Sequence, residues 1–131
     1  MGAATGKFTV LSWDEDTYAE LGNGGKLTKA HVTFGLTGDL EAQAEWDALM
    51  CYRDDGTASF TGYQRTDGVL GGRSGSFVIR GDGTFEAGVA TTNWQVVDGS
   101  ASGELRGLRG TGTAVAAGGP GGTFTFEYEL D

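Results

Sequence analysis

The chain has 131 residues, which suits one domain spanning 1–131 with a core that needs no disulfide staples. Its 18 acidic residues against 9 basic ones give a net charge of −9, and the basic residues are scattered from Lys7 to Arg109, which argues against a nucleic-acid partner. Cys51 is the single cysteine, and no apolar run reaches the length of a signal peptide or a membrane span, so the expectation is a cytoplasmic protein with no membrane partner.

Glycine is the strongest compositional signal, at 25 residues against one proline. The glycines fall between alternating Thr/Val/Phe segments, and this punctuation predicts turns in an all-β protein. Lys7–Trp13 reads as the first strand, with Phe8 and Val10 on one face and Thr9, Leu11 and Trp13 on the other. Asp14-Glu15-Asp16 is expected to end it, and Leu21–Gly25 to turn the chain. Lys26–Thr37 is the second strand: Ala30, Val32, Phe34 and Leu36 share a side, and His31, Thr33, Gly35 and Thr37 share the other.

After Gly38-Asp39 comes the stretch with the most chemistry, Glu41–Arg53. Glu41, Gln43, Glu45 and Asp47 fall on one parity, and Ala42, Ala44, Trp46, Ala48, Met50 and Tyr52 on the other. Asp54-Asp55-Gly56 is a hairpin signal, and Thr57–Thr66 follows with Phe60, Gly62 and Gln64 opposite Thr61, Tyr63 and Arg65. Turns are expected at Asp67-Gly68 or Gly71-Gly72, and again at Gly81-Asp82-Gly83, around a strand over Gly75–Arg80. Thr84–Val97 reads as one strand or as two bent at Gly88, and Ser102–Gly112, Thr113–Ala117 and Thr123–Leu130 complete the set. About eight strands at this spacing predict a sandwich or an up-and-down barrel; the consecutive hairpin turns favour a meander, and a single closed antiparallel barrel would leave no free edge and could hold a small ligand in its mouth.

One histidine and one cysteine supply too few ligands for a zinc site, so neither metal nor cofactor is expected. No nucleophile elbow, dinucleotide fingerprint or P-loop is present. The segments Gly68–Gly75 and Gly103–Gly110 both read G-x-L-x-G-x-x-G, which suits a pair of tight turns better than anion loops, since neither leads into a helix. General acid–base chemistry survives. His31 is a candidate because histidine suits proton transfer near neutrality, Asp47 and Glu45 would gain basicity if buried, and Tyr52 and Tyr63 can donate to an oxygen. Trp46, Met50, Phe34, Gln64 and Trp94 are candidates to line a substrate cavity. Which parity of Glu41–Arg53 faces the lumen stays open, because a one-residue slip reverses every assignment.

Six stretches carry a resemblance to a known family: F-T-V-x-S-W-D-E at Phe8–Glu15, K-L-T-K-A at Lys26–Ala30, T-G-D-L-E at Thr37–Glu41, L-M-C-Y-R-D-D-G-T-A-S-F at Leu49–Phe60, L-G-G-R-S-G-S-F-V at Leu70–Val78 and G-E-L-R-G-L-R-G-T-G at Gly103–Gly112. In this order they resemble the DUF3224 family of small bacterial proteins, itself similar in fold to allene oxide cyclase. The resemblance implies a small β-barrel, with ring closure on a hydrophobic, oxygenated small molecule as the analogous activity. Against the family pattern, His31 stands where a small polar residue is usual, Asp47 and Gln64 where glutamates are, and Trp46 where a small residue is.

Three functions remain at this point. The first is a cofactor-free isomerase or cyclase of the natural-product type, with Asp47, His31, Glu45 and Tyr52 as catalytic groups and Trp46, Met50, Phe34, Tyr63, Gln64 and Trp94 binding substrate. The second is a non-catalytic barrel that binds a small molecule. The third is an interaction module with a filled interior. A homodimer is compatible with any of them.

Overall fold

The alternation read along 41–53 survives intact in the structure, a computed structural model that describes residues 2–118 and 121–130. Leu40, Ala44, Trp46, Ala48 and Met50 are buried, while Glu41, Gln43, Asp47 and Leu49 are exposed. Nine strands are formed among the described residues: β1 (Gly2–Glu20), β2 (Lys26–Gly38), β3 (Leu40–Tyr52), β4 (Ala58–Leu70), β5 (Arg73–Glu86), β6 (Val89–Val96), β7 (Ser102–Gly103), β8 (Arg109–Ala116) and β9 (Gly121–Glu129). All pairings are antiparallel. They run β4-β3-β2-β1-β9-β8-β6-β5, and a β4–β5 ladder closes the circuit, so eight strands make a closed barrel while the two-residue β7 adds to β5.

The inner face is divided along its length. At one end Leu40, Leu70, Phe77, Ile79, Val96, Phe124 and Phe126 pack with Leu105 and Leu108 into a continuous core. Leu105 and Leu108 come from the connection after β7, so the second G-x-L-x-G-x-x-G segment plugs the barrel. The first supplies Leu70, and then a turn at Gly71-Gly72, whose φ angles of +59° and +81° call for glycine. Towards the other end Ala30, Val32, Trp46, Ala48 and Met50 form a second cluster, with Val10, Phe34, Tyr52 and Phe60 packed against it.

Several local expectations are corrected. Asp14-Glu15-Asp16 does not end β1, which continues to Glu20 because β2 goes on pairing with it. Gly81-Asp82-Gly83 is not a turn; it lies inside β5, paired to Gly62, Thr61 and Phe60 of β4. Those two glycines make room: a Cβ on Gly81 would lie 2.8 Å from the Trp46 ring, and one on Gly83 would lie 2.9 Å from Phe60. Asp67-Gly68 likewise sits within β4, and Ser102–Gly112 breaks at 104–108.

The true β5–β6 turn is Ala87-Gly88, with φ of 53° at Ala87 and 81° at Gly88. Both values are positive, as a two-residue hairpin loop of this hand requires. Alanine is strained there by about 1 kcal/mol or more, a cost partly offset by the freer unfolded chain that glycine brings. Ala87→Gly is therefore expected to raise stability by about 0.5 kcal/mol in urea unfolding. A lower unfolding midpoint would refute the strain at Ala87.

One irregularity decides what enters the lumen. In the β1–β2 ladder Val10 opposes Phe34, but Ser12 opposes Thr33, so Leu11 is an extra residue in a β-bulge. The bulge reverses the parity of β1. Trp13 then opposes Val32 and Glu15 opposes Ala30, both on the inner face. A strict alternation puts Trp13 with Leu11 on the outside; the structure puts Trp13 inside.

Candidate functional site

Leucine, phenylalanine and tryptophan side chains fill the plugged end, but the other end is not filled. A cavity of about 570 Å³ remains there. Its walls include Phe8, Phe34, Trp46, Met50, Tyr52, Phe60, Gln64 and Trp94, so it has the size and apolar lining of a small-molecule site. Trp94 stacks on Phe124 with ring centroids 5.5 Å apart, which ties the cavity floor to the plugged core. Trp46 meets Phe60 edge-on at 6.3 Å, and Phe8 meets Phe34 edge-on at 5.6 Å. These contacts fix the rings that shape the walls.

The wall is incomplete on one side. β1 pairs with β9 only from Gly2 to Thr9, and past that point its ladder partner is β2. Trp13 stands at this open side, lining the cavity while half exposed.

Glu15 does not itself line the cavity but is hydrogen-bonded to two residues that do, Trp13 and Tyr52. Tyr52 Oη and Thr28 Oγ1 each donate to Glu15 Oε2 at 2.6 Å, and Trp13 Nε1 donates to Glu15 Oε1 at 2.9 Å. Partial burial pushes the Glu15 carboxyl up, but the hydrogen bonds from Thr28, Tyr52 and Trp13, with the nearby Lys26 charge, outweigh it and hold the group below its ordinary value of 4.5. The same arrangement, burial first and then the bond to Glu15, drives the Tyr52 phenol well above its usual range. Lys26 Nζ lies 5.1 Å from the Tyr52 ring centroid. Tyr52 is thus a fixed neutral donor beside a carboxylate that stays ionised.

The expected site residues separate into two groups. Trp46, Met50, Phe34, Gln64, Trp94 and Tyr52 all line the cavity. Gln64 is buried, and its Nε2 donates to Thr66 Oγ1 at 3.2 Å. His31, Asp47, Glu45 and Tyr63 lie on the outer face. His31 Nδ1 and Asp47 Oδ1 are 2.6 Å apart, with the side chains 43% and 66% exposed. Glu45 pairs with Arg65 in solvent, and Tyr63 is 56% exposed. The geometry therefore separates Tyr52 from the three outer residues named beside it. Glu15, read in the sequence only as a strand terminator, is the carboxylate that holds the cavity wall, through Trp13 and Tyr52. The bulge that turns it inward leaves no mark in the alternation, although Ser12-Trp13-Asp14-Glu15 falls within a motif of the family resemblance.

Exposed ion pairs contribute little. Asp47→Ala is expected to change stability by less than about 1 kcal/mol and to leave lumen binding within about twofold of wild type. Titrating both proteins with the same apolar fluorophore checks this. A tenfold loss of affinity would restore Asp47 to the site.

No helix among the described residues is long and apolar enough to cross a membrane, and these residues bring no three His, Cys, Asp or Glu side chains together as a metal site.

Fold and cavity together define a small closed antiparallel β-barrel with an open lumen. The chain belongs to the DUF3224 family, whose model, described as a protein of unknown function, matches residues 4–128. It is similar to the crystal structure of a protein with unknown function from the DUF3224 family of Shewanella oneidensis MR-1, with a TM-score of 0.78 and 25% identity over 100% of this chain and 98% of that one. No curated protein matches the chain.

Proposed function

We propose that this barrel binds a hydrophobic, oxygenated small molecule in its lumen and acts on it as a cofactor-free isomerase or cyclase. The observation that carries the reading is the 570 Å³ cavity, walled by aromatic rings, with an ionised carboxylate hydrogen-bonded to two of its lining residues, Trp13 and Tyr52. Confinement of a flexible chain in such a space favours the ring-closing conformer. Glu15, kept anionic, acts as the electrostatic partner of positive charge that develops during rearrangement, and the aromatic faces add to that stabilisation. Gln64 keeps amide capacity beyond its bond to Thr66 and serves as the contact for a substrate oxygen. The likeness of the family to allene oxide cyclase barrels supports the same activity by analogy.

A second reading, a carrier that binds without chemistry, is favoured by one feature. Glu15 is already engaged by three donors and its pKa is lowered, which makes it a poor proton acceptor. One experiment separates the two. The purified protein is equilibrated with an apolar extract of its host, and bound molecules are released and identified by mass spectrometry. Each is then incubated with wild type, with Glu15→Gln and without protein. Isomer formation faster with wild type than with either control supports the enzyme. Binding with equal rates in all three leaves the carrier. No retained molecule would remove both readings.

A further inference from the structure

We propose that the lumen selects its ligand by charge: the ligand presents a hydrogen-bond-donating end, hydroxyl or protonated amine, to Glu15 Oε1, and a carboxylate-ended molecule of the same skeleton is rejected. The inference rests on the lumen-binding reading and adds the chemistry of the ligand's polar end.

Four observations carry it. A carboxylate offers about four acceptor positions, two on each oxygen. Tyr52 and Thr28 occupy both on Oε2, and Trp13 takes one on Oε1, so one acceptor position on Oε1 is left. The two donors flanking the cavity mouth, Tyr52 Oη and Trp13 Nε1, both point at Glu15 and have no hydrogen to give to an incoming anion. Among the described residues no lysine, arginine or histidine lines the cavity, so nothing inside balances a negative ligand, and the nearest charge bonded to the lining is Glu15, behind Trp13 and Tyr52. The lining is instead rich in aromatic faces, which attract cations and neutral groups. Lys26 is the basic group that faces this centre, and it lies over the Tyr52 ring and lowers the Glu15 pKa, so its charge is directed to the carboxylate already present. An arriving anion would meet Glu15 at close range in a partly desolvated site, where like charges repel strongly.

Trp13, Trp46 and Trp94 all line the cavity and are the chain's three tryptophans, so intrinsic fluorescence reports occupancy. The probes are 1-adamantanemethanol, 1-adamantanemethylamine, 1-adamantanecarboxylate and adamantane itself, titrated at pH 7. The alcohol and the ammonium are expected to bind about tenfold or more tightly than the carboxylate. Glu15→Gln should bring the carboxylate to within about threefold of the alcohol, and Lys26→Ala should widen the preference for the ammonium. Tyr52→Phe frees a second acceptor position without removing the charge, so it should keep the rejection of carboxylate even if Glu15→Gln proves too unstable to titrate. Carboxylate binding as tightly as the alcohol in wild type and in Tyr52→Phe overturns the charge selection while leaving lumen binding intact. Failure of all four probes, adamantane included, overturns lumen binding as well.

Discussion

Gly62→Ala is expected to be among the most damaging single substitutions in the barrel, costing about 3 kcal/mol in urea unfolding. Gly62 and Gly81 oppose each other across the β4–β5 ladder, yet a methyl group meets different neighbours at each. At Gly62 a Cβ would lie 2.2 Å from the Asp47 carbonyl oxygen and 2.7 Å from Ala48 Cα, both backbone atoms of β3. Backbone in a closed ladder can retreat only by breaking hydrogen bonds in β3–β4, and the closure of the barrel ties that damage to every other strand. At Gly81 the nearest atoms are the Trp46 ring at 2.8 Å and Thr92 Cγ2 at 3.1 Å, both side chains. Gly81→Ala should therefore cost less, about 1–2 kcal/mol, and push the indole of Trp46 into the cavity, lowering ligand affinity by about tenfold. Equal unfolding midpoints for Gly62→Ala and wild type would show that the β3–β4 ladder is not rigid at this point.

Removal of the Glu15 side chain is the second large effect. Glu15→Ala strands the donors of Tyr52, Thr28 and Trp13, and Thr28 is buried at 1% exposure, so water cannot fully replace its lost acceptor. A loss of about 3 kcal/mol is expected, against about 1 kcal/mol for Glu15→Gln, which keeps a carbonyl acceptor. The two variants also differ from wild type in their response to pH. The folded pKa of Glu15 lies below the ordinary 4.5, so the folded state binds its proton less readily than the unfolded chain does. Its contribution is complete above the unfolded value and is lost as pH falls through the folded one. The stability gap between wild type and Glu15→Gln should be widest near pH 6–7 and shrink below about pH 4.5, the other carboxylates being common to both proteins. A gap that stays constant from pH 7 to pH 3 would show that Glu15 is not held ionised by its donors.

The parts of this design that could be read in advance follow from strict period-two patterning. β2, β3 and β4 alternate without interruption, so Phe34 on β2, Trp46, Met50 and Tyr52 on β3, and Gln64 on β4 each had a legible parity within its own strand before any pairing was known. Which face turned inward was not legible, because Glu45 and Asp47 alternate just as regularly, and the choice rests on what packs behind them. The glycines misled for a related reason. Asp67-Gly68 and Gly81-Asp82-Gly83 have the composition of turns, but their glycines serve close strand contact and large rings across the lumen rather than reversal of the chain. The acid run Asp14–Asp16 looked like an end because three consecutive carboxylates rarely continue a strand; here Glu15 finds three donors inside, while Asp14 and Asp16 oppose His31 and Lys29 on the outside.

The sequence by itself determined the all-β class, some of the hairpin turns and the aromatic supply of a lumen, since all three rest on side-chain alternation and turn chemistry within short windows. Only the tertiary structure decided that Leu11 bulges, that Trp13 and Glu15 therefore face inward, and that His31 and Asp47 meet on the outside. A bulge is a property of two paired strands, visible only when β1 is set against β2. One unmatched residue there reverses the stretch from Ser12 to Thr17, until a second shift before Ala19, and with it the identity of the ionised group bonded to the cavity wall.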